Sequence, residues 1–166
     1  MSEDICRFRI SCVPPTANHQ SKKIVTIKTR DGRQFSKLAD KSELVTAKRT
    51  LDELLIPHQI PTPVQPPVVL AVIFTWPWLE SHSNRFRAAG RRPHTSKPDL
   101  SNVVKTLEDR LVQLRFLEDD RSVVETHLQK WWGDAPGIEI AIASHPGRQV
   151  IVQEGDLFSA LREEFV

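Results

Sequence analysis

The sequence predicts one α/β domain in which a mixed β-sheet packs against two main helices, an α+β arrangement over residues 1–166. Three observations lead there. The chain has 166 residues, about one domain's worth. It is 39% hydrophobic, enough for a packed core. Segments of period-two alternation are interleaved with segments of helical spacing. The longest apolar run, Val68 to Phe74, falls far short of the roughly 20 residues of a membrane helix. The N-terminus MSEDICRFRI carries acids and no apolar h-region, so no secretory signal is visible.

In chain order, Cys6, Phe8, Ile10 and Cys12 alternate with Arg7, Arg9 and Ser11, a half-buried strand that Pro14-Pro15 stops. Along such a strand the two cysteines stand about 20 Å apart, too far for a disulfide, which favours a reducing cytoplasm. Lys22 to Phe35 reads as a hairpin around Asp31-Gly32. Asp40 with Glu43 resembles a capping box for a helix over 38–56, carried by Leu44, Ala47, Leu51, Leu54 and Leu55. Five of the 12 prolines fall in 57–67 and stiffen the connection. VVLAVIFTW, from Val68, is uninterrupted enough for a central strand.

Residues 77–97 show no period and read as a long basic loop, with Phe86 on its surface. Trp76, Trp78, Trp131 and Trp132 suit a core or dimer contact. A helix over 98–114 follows, then an acidic turn, strands near 122–132 and 138–143, and a short tail helix near 156–164.

Charge is uneven. Lys and Arg number 23 and Asp and Glu 21, for a net charge of +2. Residues 1–98 hold 16 cations and 8 acids, whereas residues 99–166 hold 7 and 13. A basic front and an acidic back suit a nucleic-acid binder with a carboxylate cluster, or plain surface scatter.

The chemistry-bearing stretch runs from Lys97 to Asp120. On the 98–114 helix, Leu100, Val103, Val104, Leu107, Leu111 and Leu114 share an apolar stripe about 100° wide. Asn102, Lys105 and Asp109 share the opposite face, with Asp99 at its N-terminal end. That face is either a site or the wet side of an amphipathic helix, and Asp99 alone is also a good first-turn acid. Glu118, Asp119 and Asp120 stand where the chain returns, beside Asp99 in the arrangement a metal site needs. A solvated acidic turn is the alternative. Metal-assisted phosphodiester cleavage wants two or three such carboxylates around Mg²⁺.

KPDLSNVVKTLEDRL, followed by FLEDDRSVVE, resembles the signature of RusA-type Holliday junction resolvases. VPPTANH, Val13 to His19, is similar to the segment that ends this family's first strand. The resemblance covers about residues 6–143, leaving 144–166 as a C-terminal extension. It implies a homodimer that binds four-way DNA junctions and cuts two opposing strands, with Mg²⁺ or Mn²⁺ held by aspartates. The matching positions are Asp99, Asp119 and Asp120 as metal ligands, Asp99, Asp120 and Lys105 as the catalytic set, and Asn102 and Asp109 in support.

One position departs, because Ser101 stands where the family has its second aspartate. Either the remaining acids hold the ion with extra waters, or Ser101 reaches it through water, or cleavage is lost and binding kept. Water would attack the phosphorus while the cation neutralises developing charge, and solvent would protonate the leaving 3′-oxygen. Lys105 holds the phosphate or pairs with Asp109.

Asn18, Lys22, Lys23, Arg85, Arg87, Arg91, Arg92 and Lys97 are the expected DNA contacts, largely through phosphates. Three functional classes remain in play: the metal-dependent endonuclease, a non-catalytic branched-DNA binder, and a small RNA-binding domain whose acids are merely surface.

Overall fold

The computed structural model describes residues 5–17, 22–88 and 90–145. Asn18, His19 and the expected tail helix near 156–164 lie outside the described residues. Seven strands and three helices are present among them. These are β1 (Ile5–Ile10), β2 (Lys22–Lys28), β3 (Gln34–Asp40), α1 (Ser42–Leu55), β4 (Val68–Pro77), α2 (Asn84–Ala88), β5 (Arg92–Pro93), α3 (Leu100–Gln113), β6 (Val123–Gly133) and β7 (Gly137–Ser144).

Five strands form one mixed sheet in the order β1-β7-β4-β6-β5, with β4 parallel to β6 and the other pairs antiparallel. The VVLAVIFTW strand is central, flanked by β7 and β6 as its apolar run requires. The parallel pair needs a crossover, and α3 lies within it. One face carries the core. Val68, Leu70, Val72, Phe74 and Trp76 of β4 and Ile138, Ile140 and Ile142 of β7 close on Val103, Val104, Leu107 and Leu111 of α3 and on Leu51 and Leu55 of α1. The expected stripe of α3 is thus the buried one. Arg110 Nε, 2.7 Å from Asp52 Oδ1, ties α3 to α1 beside that core.

Several local expectations are corrected. The hairpin is present but longer, because its ladder runs to Lys22↔Asp40, so residues 38–40 are strand and not helix. It forms a separate two-stranded sheet. Asp40 does not cap α1: Lys41 is the N-cap, without a side-chain bond, and the Asp40 carboxylate accepts from Lys48 Nζ at 2.8 Å. Cys12 lies beyond the end of β1, and both cysteines are free thiols.

The 77–97 segment is not structureless. It contains α2 and β5, and Phe86 packs with Trp78 and His82 at ring separations of 5.8 and 4.7 Å. Trp76 and Trp132 are buried, at 4% and 8% exposure, as core residues. No helix among the described residues is long and apolar enough to cross a membrane.

Candidate active site

α3 starts where the chain must turn out of an irregular segment. Asp99 is its N-cap residue, extended at φ −70° and ψ 136°, and its carboxylate makes no capping bond. Lys130 on β6 fixes that entry. Its ammonium donates to Ser96 O at 2.6 Å and to Pro98 O at 2.8 Å, holding the backbone on the doorstep of Asp99. Ser101 is exposed in the first turn, and Asn102 is half-buried one residue later. The Pro14-Pro15 end of the N-terminal segment folds onto this helix. Pro15 and Ala17 share a small apolar void of about 10 Å³ with Val103, Thr106 and Leu107, and Trp76 Nε1 donates to Pro14 O at 3.0 Å.

Further along α3, Lys105 gathers acids. Its ammonium lies 2.5 Å from Asp120 Oδ2, 3.6 Å from Asp109 Oδ1 and 3.9 Å from Glu108 Oε2. Asp109 and Glu108 reach it by helical spacing. Asp120 arrives from a turn of 3-10 helix, Asp120–Ser122, that feeds β6. There β6 carries a bulge: the register shifts between Val68↔Val123 and Val69↔Glu125, leaving Val124 unpaired.

The electrostatics follow from these contacts. The Asp120 hydrogen bond, with charge from Asp109 and Glu108, holds the Lys105 ammonium above its usual range. Burial pushes the Glu108 carboxyl up, against the pull of Lys105. Asp119 has its own cation, Arg121. Its carboxylate accepts from Arg121 Nε and Nη2 at 2.9 and 2.8 Å and from the Arg121 backbone N–H at 2.9 Å, which holds it well below the usual carboxylate range.

Lys48, Asp109, Arg110, Val112, Gln113, Asp119 and Asp120 line an open cleft of about 410 Å³. The structure therefore brings Lys105, Asp109 and Asp120 together, and Asp119 borders the same cleft. Asp99 heads the same helix, six residues before Lys105, about 9 Å along the helix axis. The short link after α3 delivers Asp120 to the Lys105 ammonium on that helix. No group of three His, Cys, Asp or Glu side chains among the described residues is arranged to hold a metal ion. The donor chemistry nevertheless suits a hard divalent cation: carboxylate oxygens on an open cleft with room for waters.

The basic residues divide. Lys22, Lys23, Arg85 and Lys97 are exposed. Arg87 is spent on its own loop, donating to His82 O at 3.0 Å and Leu79 O at 2.8 Å. Arg91 pairs with Glu139 and donates to Thr75 Oγ1 at 3.1 Å. Arg92 lies over the Phe86 ring at 5.3 Å with its Nε buried and without a hydrogen-bond partner.

Sequence reasoning missed four residues. Glu108 was readable as i+3 to Lys105. Arg121 was readable as the cation next to the acid pair. Lys130 and His94 act across the fold and leave no local signal. His94 is 3% exposed and stacks on Trp132, with ring centroids 3.8 Å apart.

A search of curated proteins finds no match to the chain. The family model described as Endodeoxyribonuclease RusA matches residues 10–143. That match takes in the Pro14-Pro15 segment, all of α3 with Lys105, and the Asp119-Asp120 turn at the head of β6, so the chain belongs to the RusA endodeoxyribonuclease family and is a DNA-cutting enzyme.

Proposed function

We propose that the protein is a Mg²⁺-dependent, structure-selective endonuclease that resolves four-way DNA junctions by paired symmetric nicks, acting as a homodimer. The observation that carries this reading is the Lys105 ammonium joined to Asp120 and Asp109 beside an open cleft that Asp119 also lines. In a family that cuts branched DNA with a divalent metal, this is the set of groups the reaction requires.

Asp120 and Asp119, with Asp99 from the head of α3, are the residues that would hold Mg²⁺, or Mn²⁺ in its place. The ion supplies charge neutralisation at the scissile phosphate and makes water a better nucleophile. Asp120 shares its carboxylate with Lys105, and Asp119 with Arg121, so each would exchange one cation for another on holding the ion. Lys105, once relieved of Asp120, would bind a phosphate oxygen as charge builds on it. Asn102 orients a neighbouring carboxylate or water. Lys130 keeps Asp99 in place through the two carbonyls it binds. Asn18, Lys22, Lys23, Arg85, Arg87, Arg91, Arg92 and Lys97 serve as phosphate contacts, with Arg87 and Arg91 giving up internal bonds to do so. Two opposed cuts need two sites, which is the reason for a dimer.

The test is a synthetic four-way junction with Mg²⁺ or Mn²⁺. Paired nicks that disappear with EDTA and in Asp120→Asn are expected, and no preference for junction over duplex would overturn the reading. A second reading, a branched-DNA binder without cleavage, is favoured by one observation. Ser101 presents a neutral hydroxyl where an acid is expected. Tight junction binding with no nicks would select it.

A further inference from the structure

We propose that the β2–β3 hairpin is a wedge for the branch point of DNA. The cross-strand pair Ile27 and Phe35 enters between unstacked base pairs, while Lys28, Arg30, Arg33 and Lys37 hold the flanking phosphates. This rests on the junction-cutting reading above.

Among the described residues, β2 and β3 are the strands that lie outside the main sheet. It exposes apolar side chains that its own architecture does not use. Ile24 is 73% exposed, Leu38 59%, Phe35 50% and Ile27 37%. The register pairs Ile24 with Leu38 on one face and Ile27 with Phe35 on the other, near the tip. A two-stranded ribbon is marginal alone in water, and concentrated exposed apolar surface marks a binding site.

Charge identifies the occupant. Residues 22–40 contain six cations and two acids. Of the two acids, Asp31 is bonded to the Thr29 hydroxyl and lies 3.6 Å from Arg33, and Asp40 is held by Lys48. The surplus is therefore positive along the whole ribbon. A second copy of this chain would bring the same surplus and be repelled, whereas a polyanion is attracted. The apolar pair then needs bases: side chains of this kind enter opened base steps as wedges, and a two-stranded ribbon fits the major groove.

The hairpin is also rooted at the cleft. Its last residue, Asp40, is bonded at 2.8 Å to Lys48, which lines the cleft with Asp109 and Asp120. DNA gripped by the ribbon is thereby delivered to the carboxylates.

The experiment places 2-aminopurine at the crossover of a synthetic four-way junction and titrates the full chain in EDTA, where nothing is cut. The wild-type protein is expected to raise the fluorescence by unstacking the base. Phe35→Ala is expected to abolish that rise and weaken junction binding about 5- to 100-fold, leaving duplex affinity within about twofold. Phe35→Trp is expected to retain both. Phe35 is half exposed, so its loss leaves the core intact. An unchanged fluorescence rise in Phe35→Ala overturns the wedge. So does a change in sedimentation-defined oligomeric state with junction affinity unaltered, which would make the ribbon a contact between copies. The underlying reading is scored separately on the wild-type protein: failure to nick junctions with Mg²⁺ or to prefer them over duplex sinks both.

Discussion

Lys105 Nζ and Asp120 Oδ2 are 2.5 Å apart, although α3 and the turn into β6 put 15 residues between them. The contact gives three acidic side chains, Asp120, Asp109 and Glu108, one internal cation. Replacing it by an apolar side chain separates two roles. In Lys105→Met the carboxylates lose their counter-charge, so Mn²⁺ binding to the free protein, read by calorimetry, is expected to tighten. Junction cleavage is expected to fall by about 10²- to 10³-fold, because the ammonium no longer meets the charge building on the phosphate. Weaker metal binding and weaker cleavage together would reduce Lys105 to a scaffold residue.

Ser101 occupies the first turn of α3 and is exposed. Ser101→Asp is expected to raise stability by about 0.3–1 kcal/mol, since a negative charge there meets the positive end of the helix dipole. If the serine marks a lost ligand, Mn²⁺ affinity and nicking rate rise as well. A gain in Tm with neither of these would mean that the hydroxyl is a neutral replacement.

Much of this site was legible because it is local. The 3.6-residue period put Leu107 and Leu111 inside and Asn102, Lys105 and Asp109 on the other face of one helix. Asp40 misled for the opposite reason. Asp40 and Glu43 have capping-box spacing, but the β2–β3 ladder extends to Asp40 and Lys48 takes its carboxylate. Tertiary pairing there outweighs a local preference. The same applies to 77–97, where no period is visible because its order comes from rings supplied by distant strands, as Trp132 does for His82 and His94. Asp119 is the local counterexample: its partner Arg121 lies two residues on and competes with any ion for the carboxylate.

Lys130 carries the next expectation. Two carbonyls converge on its ammonium just before Asp99, so Lys130→Met leaves them unpaired and lets the start of α3 shift. The turnover rate on junctions is expected to drop about tenfold or more, a small misplacement being costly in a preorganised site. Junction Kd is expected to stay unchanged, and Lys130→Arg to restore part of the rate. A parallel loss of binding would make Lys130 a DNA contact and not a positioning residue.

His94 makes stability pH-dependent. Burial between Trp132 and Trp76 depresses its pKa, and the charges of Lys130 and His82 add to that. The Arg92 side chain, with its buried Nε, precedes it in the same segment. The folded state thus favours neutral imidazole, while the unfolded chain takes up a proton near pH 6.5. This contribution is fully present above that pH and is lost as pH falls below it, because the unfolded state then binds more protons. Thermal melts from pH 7.5 to 5.5 are expected to show a falling Tm, flattened in His94→Phe. A wild-type Tm that does not move over that range would rule His94 out.

Gly137 opens β7 at the one point where β1 leaves no space. A Cβ there would lie 2.7 Å from Ile10 O and 2.9 Å from Arg9 Nη2. Arg9 can swing away from Ala135 O and Pro136 O, but the Ile10 carbonyl sits in the β1–β7 ladder and cannot move without opening it. Gly137→Ala is therefore expected to cost about 1–3 kcal/mol in urea denaturation, with faster amide exchange concentrated in β1. Gly133→Ala is the control. Its Cβ would meet the Thr75 methyl at 3.0 Å and Arg91 Cγ at 3.6 Å, both longer contacts and both to side-chain and not backbone atoms. Equal losses in the two variants would show that the β1 carbonyl is not what selects glycine at position 137.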